Sequence, residues 1–197
     1  MGNVGSIANM LKKVGGSGLI TSDLHEIAQA QKIILPGVGA FDSGMSNLKR
    51  YDLIGTLNRQ VLQQKIPILG ICLGMQLMTN KSEEGKEPGL QWIDAETLKF
   101  DLSKAAQILR VPHMGWNTVV KNKSHQIIDS IALETSRFYF VHSYYIHCNQ
   151  PEDILLTCDY GISFTAAFQK DNIFGVQFHT EKSHKFGMQL LKNFIDL

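Results

Sequence analysis

The stretch Ile66–Met78, IPILGICLGMQLM, decides the fold because it places a cysteine in a bend between an apolar run and an amphipathic segment. The apolar residues 66–69 predict a buried strand, and residues 74–78 predict the start of a helix. Cys72 lies between them, with a glycine two residues away on either side. A bend this sharp leaves no room for side chains at the flanking positions, so glycine fits there. The pattern is typical of a nucleophile elbow with cysteine in place of serine.

Helical and strand-like segments alternate on both sides of this bend. Helices are predicted for residues 7–14, 22–30 and 43–64, the last with a break near Tyr51–Asp52, and strands for residues 18–21, 32–35 and 66–69. Such alternation favours a parallel sheet covered by helices on both faces. After residue 89 the strand-like runs lie close together, at 107–111, 117–120, 137–146, 153–157 and 163–169, and they predict antiparallel strands in the same sheet. A strand at 173–178 and a helix at 183–195 follow.

The composition argues against several classes of function. With 19 basic and 18 acidic side chains in 197 residues, the chain has no basic excess, so we expect no nucleic-acid partner. It contains no run of 18 apolar residues, so we expect no membrane span. Cys72, Cys148 and Cys158 have no C-x-x-C spacing, which argues against a metal site and indicates a reducing, cytoplasmic setting. We expect no cofactor, and we predict that Cys148 and Cys158 pack in the core.

A cysteine nucleophile needs a base, and His179 is the best placed of the seven histidines. It follows the last predicted strand, and open α/β sheets carry their sites at the carboxyl ends of strands. Glu181 comes two residues later, and in an extended segment both side chains would point to the same side. We therefore predict a triad of Cys72, His179 and Glu181. The other histidines are interpreted as surface or hydrogen-bonded residues, although His113 and His142 lie in unusual motifs.

A second glycine loop, PGVGAF at Pro36–Phe41, follows another predicted strand. It is not a dinucleotide-binding fingerprint, because Asp42 stands where the third glycine is needed. A backbone N–H group at Val38 or Gly39 could complete an oxyanion hole together with that of Leu73. An ordinary strand-to-helix turn is the alternative interpretation of this loop.

Several motifs together resemble a known family. GICLGMQ (70–76) and FHTEKS (178–183) resemble the Cys-His-Glu triad of class I glutamine amidotransferases. PGVGAF, VPHMGWN (111–117) and FVHSYY (140–145) narrow the resemblance to glutaminase subunits that serve histidine biosynthesis. The resemblance extends over essentially the whole chain. It implies a single domain over residues 1–197 with an α/β, flavodoxin-like fold: a central, mostly parallel sheet, helices on both faces and an added antiparallel section.

The resemblance also implies an activity and a partner. Cys72 would attack the side-chain amide of L-glutamine, and Gln76, Ser143 and Tyr144 would bind the substrate. Ammonia would pass to a (β/α)₈-barrel cyclase bound as a heterodimer. The residues expected at that interface are Met114, Trp116 and Asn117, and a buried core position is the competing interpretation of Trp116.

Three other functions remain open at this point. The chain could be a paralogous subunit that feeds ammonia to a different synthase, for example one that amidates a surface sugar. It could be a non-catalytic scaffold with the same fold, or a free-standing cysteine hydrolase. The intact triad argues against a scaffold, and the PHMGWN motif at a predicted exposed turn argues for a partner.

The chain departs from the family pattern in two places. Thr180 stands where the family usually has proline, and we expect threonine to loosen the alignment of His179 and Glu181. The family begins with a strand that leads into the Gly2–Asn3 turn, and the sequence begins at the turn. That strand would lie between those at 18–21 and 32–35, so its loss would leave a gap and unpaired backbone groups. We therefore expect either marginal stability or an incomplete N-terminus.

Overall fold

A mixed β-sheet lies at the centre of the computed structural model, which describes residues 4–103 and 107–197. The strands are β1 (Ile33–Gly37), β2 (Ile68–Cys72), β3 (Lys81–Ser82), β4 (Ala95–Lys99), β5 (His113–Asn117), β6 (Val120–Lys121), β7 (Phe138–His142), β8 (Tyr144–Cys148), β9 (Ile154–Asp159), β10 (Ser163–Lys170) and β11 (Ile173–Val176). The helices are α1 (Val4–Lys13), α2 (Leu24–Ala28), α3 (Phe41–Arg50), α4 (Leu53–Asn58), α5 (Leu73–Leu77), α6 (Gln126–Asp129) and α7 (His184–Asp196). A π-helical turn (Arg59–Gln63) extends α4, and 3₁₀ turns cover Leu133–Thr135, Pro151–Asp153 and Thr180–Lys182.

The strand order of this sheet is β1-β2-β11-β10-β8-β4-β3. Strands β1, β2 and β11 are parallel, and Gly37 lies beside Cys72 in the register of β1 and β2. Strand β10 runs antiparallel to β11, β8 and β9, and β6 pairs with β9. Strands β5 and β7 form a separate antiparallel ribbon. The predicted parallel sheet with an added antiparallel section is therefore confirmed, and the carboxyl ends of its parallel strands meet at Cys72.

Two apolar clusters flank the sheet. One contains Ile7 and Leu11 of α1 together with Leu190, Leu191 and Phe194 of α7. The other joins α3, α4 and α5 to the opposite side of the sheet through Met45, Leu57 and Met75, among others. The helical periodicities found in the sequence are the buried faces of these helices, because each helix packs against the sheet along one apolar stripe.

Several element boundaries differ from the predicted ones. Residues 18–21 form no strand, and Leu19 and Ile20 are 70 % and 60 % exposed. Residues 107–111 form no strand either, and Ile108 is fully exposed. Among residues 4–103 and 107–197, neither run has a neighbouring strand to supply backbone hydrogen-bond partners, so a strand-like composition alone does not make it a strand. The predicted strand 137–146 is divided at Ser143 into β7 and β8, which belong to different sheets.

The predicted helix over residues 43–64 is confirmed together with its break. Asp52 has a left-handed conformation with φ of 54° and separates α3 from α4. The packing of Cys148 and Cys158 is confirmed as well, since both thiols are buried and free. Burial raises the pKa of Cys148 to about 11 and that of Cys158 to about 12, so both are unreactive at neutral pH.

Candidate active site

Cys72 lies at a strained bend between strand β2 and helix α5. Its φ and ψ are 54° and −111°, a conformation that side-chain-bearing residues rarely adopt. A Cβ atom at Gly70 would lie 2.7 Å from the backbone nitrogen of Met75, and one at Gly74 would lie 1.7 Å from the carbonyl oxygen of Leu35. Both glycines are therefore required by close backbone approaches, which confirms the predicted sharp bend between strand and helix.

His179 and Glu181 lie together beside this bend. The imidazole Nδ1 of His179 is 2.8 Å from Oε1 of Glu181, and Cys72 and His179 both line the same cavity. The backbone N–H of His179 donates to the carbonyl oxygen of Tyr139 at 2.9 Å, which ties the histidine to β7. The expected extended segment is wrong, because residues 180–182 form a 3₁₀ turn. The turn still leaves the Glu181 carboxylate within hydrogen-bond distance of the ring.

Thr180 lies at the centre of this turn and is completely buried. Its hydroxyl has no hydrogen-bond partner in the part of the chain that the structure describes. The bond between His179 and Glu181 is nevertheless formed at 2.8 Å with threonine at this position. A Cβ atom at Gly187 would lie 1.9 Å from the carbonyl oxygen of Thr180, so α7 packs directly onto the turn.

The electrostatics of the site favour a protonated imidazole. Burial lowers the pKa of His179, but hydrogen bonds to Cys72 and Glu181 and the charges of both groups outweigh burial and raise it to about 9. Burial raises the pKa of Glu181, and the hydrogen bond and charge of His179 outweigh that effect and lower it. Since Nδ1 of His179 donates to a carboxylate, the other ring nitrogen is the one that can exchange a proton with the sulfur.

This raised pKa makes stability depend on pH. An unfolded imidazole has a pKa of 6.5, and the folded value is about 9, so the folded state binds the proton more tightly. The resulting stabilisation is complete below the unfolded pKa and is lost as pH rises through the folded pKa. We expect urea unfolding to show a free energy of unfolding that falls from about pH 6.5 to about pH 9. His179→Gln should flatten this decline, and an unchanged decline in the variant would contradict the pairing.

A cavity of about 500 Å³ opens onto Cys72 and His179. Cys72 is only 7 % exposed, but its side chain reaches this cavity rather than being closed off in the core. Every predicted oxyanion and substrate-binding residue also lines it: Val38, Gly39, Leu73, Gln76, Ser143 and Tyr144. The structure thus brings into one place residues from four separate segments of the chain.

Gln177 is a site residue that the sequence did not reveal. Its side chain is completely buried, and its Nε2 donates to Sγ of Cys72 at 3.7 Å. Its Oε1 accepts from Nε2 of Gln76 at 3.0 Å, and the same Gln76 nitrogen donates to the carbonyl oxygen of Tyr144 at 3.2 Å. The signal that could have found Gln177 is its position two residues before His179.

Glu84 was missed for a different reason, since it lies in a charged loop, residues 80–89, that was not assigned to the site from the sequence. Its side chain lines the cavity, and its Oε2 accepts from the backbone N–H of Phe41 at 2.8 Å. The same loop is fastened to α3 by Asp42, whose carboxylate accepts from the backbone N–H groups of Lys86 and Glu87, each at 3.0 Å. These bonds lower the pKa of Asp42 and hold the loop beside the Val38–Gly39 turn.

The predicted interface residues lie on the β5–β7 ribbon, outside the lining of the cavity. Side chains alternate along β5, so Met114 and Trp116 face outward and are 61 % and 44 % exposed. Trp116 stacks on His184 with ring centroids 5.1 Å apart, so it is not a core residue. Asn117 is half-buried, and its Nδ2 donates to the carbonyl oxygen of Asp159 at 2.9 Å.

A second cleft, of about 600 Å³, lies between β6 and the segment 128–134. It contains an exposed ion pair between Lys121 and Asp129 but no cysteine or histidine, so it has no candidate nucleophile or base. Within residues 4–103 and 107–197, no cluster of histidine, cysteine and acidic side chains could hold a metal ion. Across the same ranges, the helices are too short or too polar to cross a bilayer.

Comparisons with known proteins agree with this geometry. The family model described as "Glutamine amidotransferase class-I" matches residues 4–197. "Imidazole glycerol phosphate synthase subunit HisH 2" of Methanococcus maripaludis is 56 % identical over 99 % of this chain and 95 % of that protein. The subunit with the same name in Pseudomonas aeruginosa is 52 % identical over 100 % and 96 %. The glutaminase domain of Trypanosoma brucei CTPS, solved with bound acivicin, superposes with a TM-score of 0.66 at 15 % identity, over 99 % of this chain and 86 % of that one.

Proposed function

Because the chain belongs to the class I glutamine amidotransferase family, we propose that it is the glutaminase subunit of an imidazole glycerol phosphate synthase. In this role it hydrolyses L-glutamine to glutamate and ammonia. The observation that carries the proposal is the series Cys72, His179 and Glu181: the first two line one cavity, and Oε1 of Glu181 is 2.8 Å from Nδ1 of His179. Such a series contains a nucleophile, a base and a group that orients the base.

The reaction follows from the positions of these groups. The Cys72 sulfur attacks the side-chain carbonyl carbon of glutamine, and the C–N bond breaks while His179 gives its proton to the departing ammonia. A glutamyl thioester remains on Cys72. Water then loses a proton to His179 and attacks the thioester, which releases glutamate and the free sulfur. Glu181 holds the ring in the required tautomer through Nδ1 throughout.

The oxyanion formed in both steps would be bound by backbone N–H groups. Leu73 follows the nucleophile directly at the start of α5, and Val38 and Gly39 line the same cavity just beyond Gly37, which pairs with Cys72. Gly39 has φ of +96°, a conformation open to glycine, which lets the peptide before it turn. Backbone donors aimed at a developing negative charge are worth several kcal/mol, about 3 per donor, in acyl transfer.

The charge of the cavity suits an amino acid. Among the described residues that line it, Glu84 is the only carboxylate, and it is placed to bind the α-ammonium group of L-glutamine. Gln76, Ser143 and Tyr144 line the cavity as well and would contact the remaining polar groups of the substrate. Substrate binding therefore uses residues from three different elements that converge on the same sulfur.

Replacing Glu84 tests the assignment of this carboxylate. In Glu84→Gln the amide oxygen can still accept from Phe41, but the charge that pairs with the α-ammonium group is lost. We expect KM for glutamine to rise about tenfold or more, with kcat changed little, because one charge-assisted hydrogen bond is worth about 1.5–3 kcal/mol. Steady-state glutaminase kinetics measure this, and Glu87→Gln in the same loop is the control. An unchanged KM in Glu84→Gln would contradict the role.

We further propose that the ammonia passes to a (β/α)₈-barrel cyclase, which makes imidazole glycerol phosphate and AICAR in the cytoplasm. The relatives in the curated comparisons are named as synthase subunits, which supports a heterodimer. The outward side of the β5–β7 ribbon carries Met114 and Trp116 opposite Val141 and Tyr139. This apolar surface adjoins the cavity, since Val141 lines it too. Ammonia leaving Cys72 there could reach a docked partner through a sealed channel without being protonated by bulk water.

Trp116 is expected to be a central contact of this interface. Trp116→Ala removes an exposed aromatic ring at the middle of the apolar surface, and such anchors are worth about 2 kcal/mol or more. We expect the dissociation constant of the complex to rise about thirtyfold. Calorimetric titration with the barrel cyclase measures it. Val120→Ala, at a 65 % exposed position on β6, is the control, and equal affinities for both variants would contradict the assignment.

The proposed function is tested by glutamate release with and without the barrel cyclase and its nucleotide substrate. We expect release to be slow for the isolated subunit and strongly increased in the complex, with incorporation of the ammonia nitrogen into imidazole glycerol phosphate. Release that depends on a different synthase would favour the paralogous function. An absence of glutamate release in every complex would favour a scaffold and overturn the proposal.

A further inference from the structure

Two buried histidines lie between the ribbon and the glutamine cavity, and the mechanism above does not use them. His113 on β5 and His142 on β7 are Cα partners across the ribbon and are 2 % and 6 % exposed. Nδ1 of His113 is 3.0 Å from Nε2 of His142. Both nitrogens of a buried imidazole need a hydrogen-bond partner. Which of the two rings donates in this bond is therefore fixed by the contacts of the two remaining ring nitrogens.

Those outer contacts assign both tautomers. Nδ1 of His142 is 2.7 Å from the carbonyl oxygen of Tyr144, and a carbonyl can only accept, so Nδ1 carries the proton. Nε2 of a neutral His142 then accepts, and Nδ1 of His113 must donate to it. Nε2 of His113 in turn accepts from Nδ2 of Asn117 at 3.3 Å. The donors therefore run in one direction, from Asn117 through both rings to Tyr144.

The surroundings of the two rings keep them neutral and fixed. His113 is stacked between Phe140 and Tyr160, with centroid distances of 4.8 and 4.0 Å. His142 contacts the rings of Phe100 and Phe164 at 5.3 and 5.2 Å. Burial lowers the pKa of His113 to about 4. Burial also lowers that of His142, to about 3, and the nearby His113 and His179 add to this effect.

The inner end of this series is part of the glutamine site. The carbonyl oxygen of Tyr144 accepts hydrogen bonds from Nδ1 of His142 at 2.7 Å and from Nε2 of Gln76 at 3.2 Å. Ser143 and Tyr144 line the cavity, and Ser143 is the residue at which the chain leaves the ribbon for the main sheet. Ser143 itself belongs to neither strand. Its carbonyl oxygen accepts from the backbone N–H of Phe100 at 3.3 Å, and the carbonyl of the next residue, Tyr144, is the one that His142 contacts.

We propose that His113 and His142 are positioning residues: a neutral, one-directional pair of hydrogen-bonded imidazoles that holds the Ser143–Tyr144 backbone in its glutamine-binding position. The inference rests on the proposed glutaminase function and adds two residues to it. His113 lies outside the lining of the cavity, and His142 lines it but has both ring nitrogens engaged by His113 and Tyr144. Asn117 is the outer end of the series, and it is the half-exposed neighbour of Trp116 on the surface assigned to the partner. Its amide thus acts inside the chain rather than across the interface.

A matched pair of variants separates positioning from packing. In His113→Asn the side-chain amide can take the place of Nδ1 and donate to His142, whereas His113→Leu has similar size and no donor. We expect His113→Leu to raise KM for glutamine about tenfold with a smaller change in kcat, since one buried hydrogen bond is lost. His113→Asn should stay within about twofold of wild type. Synthesis from added ammonium salts should be unchanged in both, because it does not use this site.

A merely structural role predicts a different result. If His113→Leu and His113→Asn have the same KM and differ from wild type only in melting temperature, the proposal is overturned. A wild-type complex that releases no glutamate would instead contradict the proposed function. That result is distinct from any difference between the two His113 variants.

A second measurement on the wild-type chain keeps the inference testable if His113→Leu does not fold. Nitrogen-15 NMR of the imidazole rings should show protonated Nδ1 and bare Nε2 in both His113 and His142 at neutral pH. The opposite tautomer in either ring, or a protonated imidazolium, would reverse or break the series and overturn the proposal. This result does not depend on glutamine turnover, so it is independent of the proposed function.

Discussion

Cys72→Ala is expected to abolish glutamine-dependent synthesis while leaving ammonia-dependent synthesis intact. The substitution removes the sulfur on which the thioester forms, and loss of a catalytic nucleophile lowers kcat by a factor of about 10⁵–10⁶ in comparable hydrolases. The strained backbone at Cys72 is retained, because alanine has the same Cβ, so the cavity should keep its shape. Rates with glutamine and with an ammonium salt, measured on the complex with the barrel cyclase, check the prediction.

The matched control for this substitution is Cys148→Ala. Cys148 is also buried and free, but its thiol is distant from the cavity and its pKa is raised by burial to about 11. We expect glutaminase activity to be retained in Cys148→Ala, with some loss of stability from the smaller side chain. Full glutamine-dependent turnover by Cys72→Ala would show that the nucleophile has been wrongly assigned, irrespective of the glutaminase activity of Cys148→Ala.

The centre of the site could be predicted because its geometry is local. The bend at Cys72 follows from two glycines and an apolar run, and the contact between His179 and Glu181 spans two residues. Even here the contact was predicted for the wrong reason. A 3₁₀ turn brings the carboxylate to Nδ1 of the ring, and no periodicity in so short a segment distinguishes a turn from an extended chain.

The rest of the site depends on contacts between segments that are distant in the sequence. Motifs and periodicity in a single sequence do not predict such contacts. Glu84 reaches the cavity because Asp42 and Phe41 fasten its loop to α3, across more than forty residues of chain. The division of the predicted strand 137–146 at Ser143 is a tertiary effect too. Pairing with β5 on one side and with β4 on the other draws its two halves into different sheets.

The apolar runs that form no strand show the same limit. Residues 18–21 have the composition of a strand, but Leu19 and Ile20 are exposed and unpaired. Strand β1 pairs only with β2 among the described residues. The backbone N–H and C=O groups along its other edge therefore have no described strand as a hydrogen-bond partner. Composition predicts which segments can pair, and the sheet order decides which of them do.

The second large effect is expected from Gly74→Ala, which tests whether the elbow depends on close packing of backbones. The added methyl group would lie 1.7 Å from the carbonyl oxygen of Leu35, a backbone atom held in strand β1. Neither β1 nor α5 can move without displacing Cys72, so we expect a loss of about 3 kcal/mol or more in the free energy of unfolding. Glutaminase activity should be lost with it, because the sulfur and His179 would no longer meet.

Gly55→Ala is the matched control for Gly74→Ala. Gly55 also lies in a helix, and an added Cβ would have no atom within 4 Å. Alanine is favoured over glycine in a helix by about 1 kcal/mol, so this variant should be as stable as wild type or slightly more stable. Urea unfolding of both variants measures the difference. If Gly74→Ala were as stable and as active as Gly55→Ala, α5 would not be pressed against β1, and the strained placement of Cys72 would need another cause.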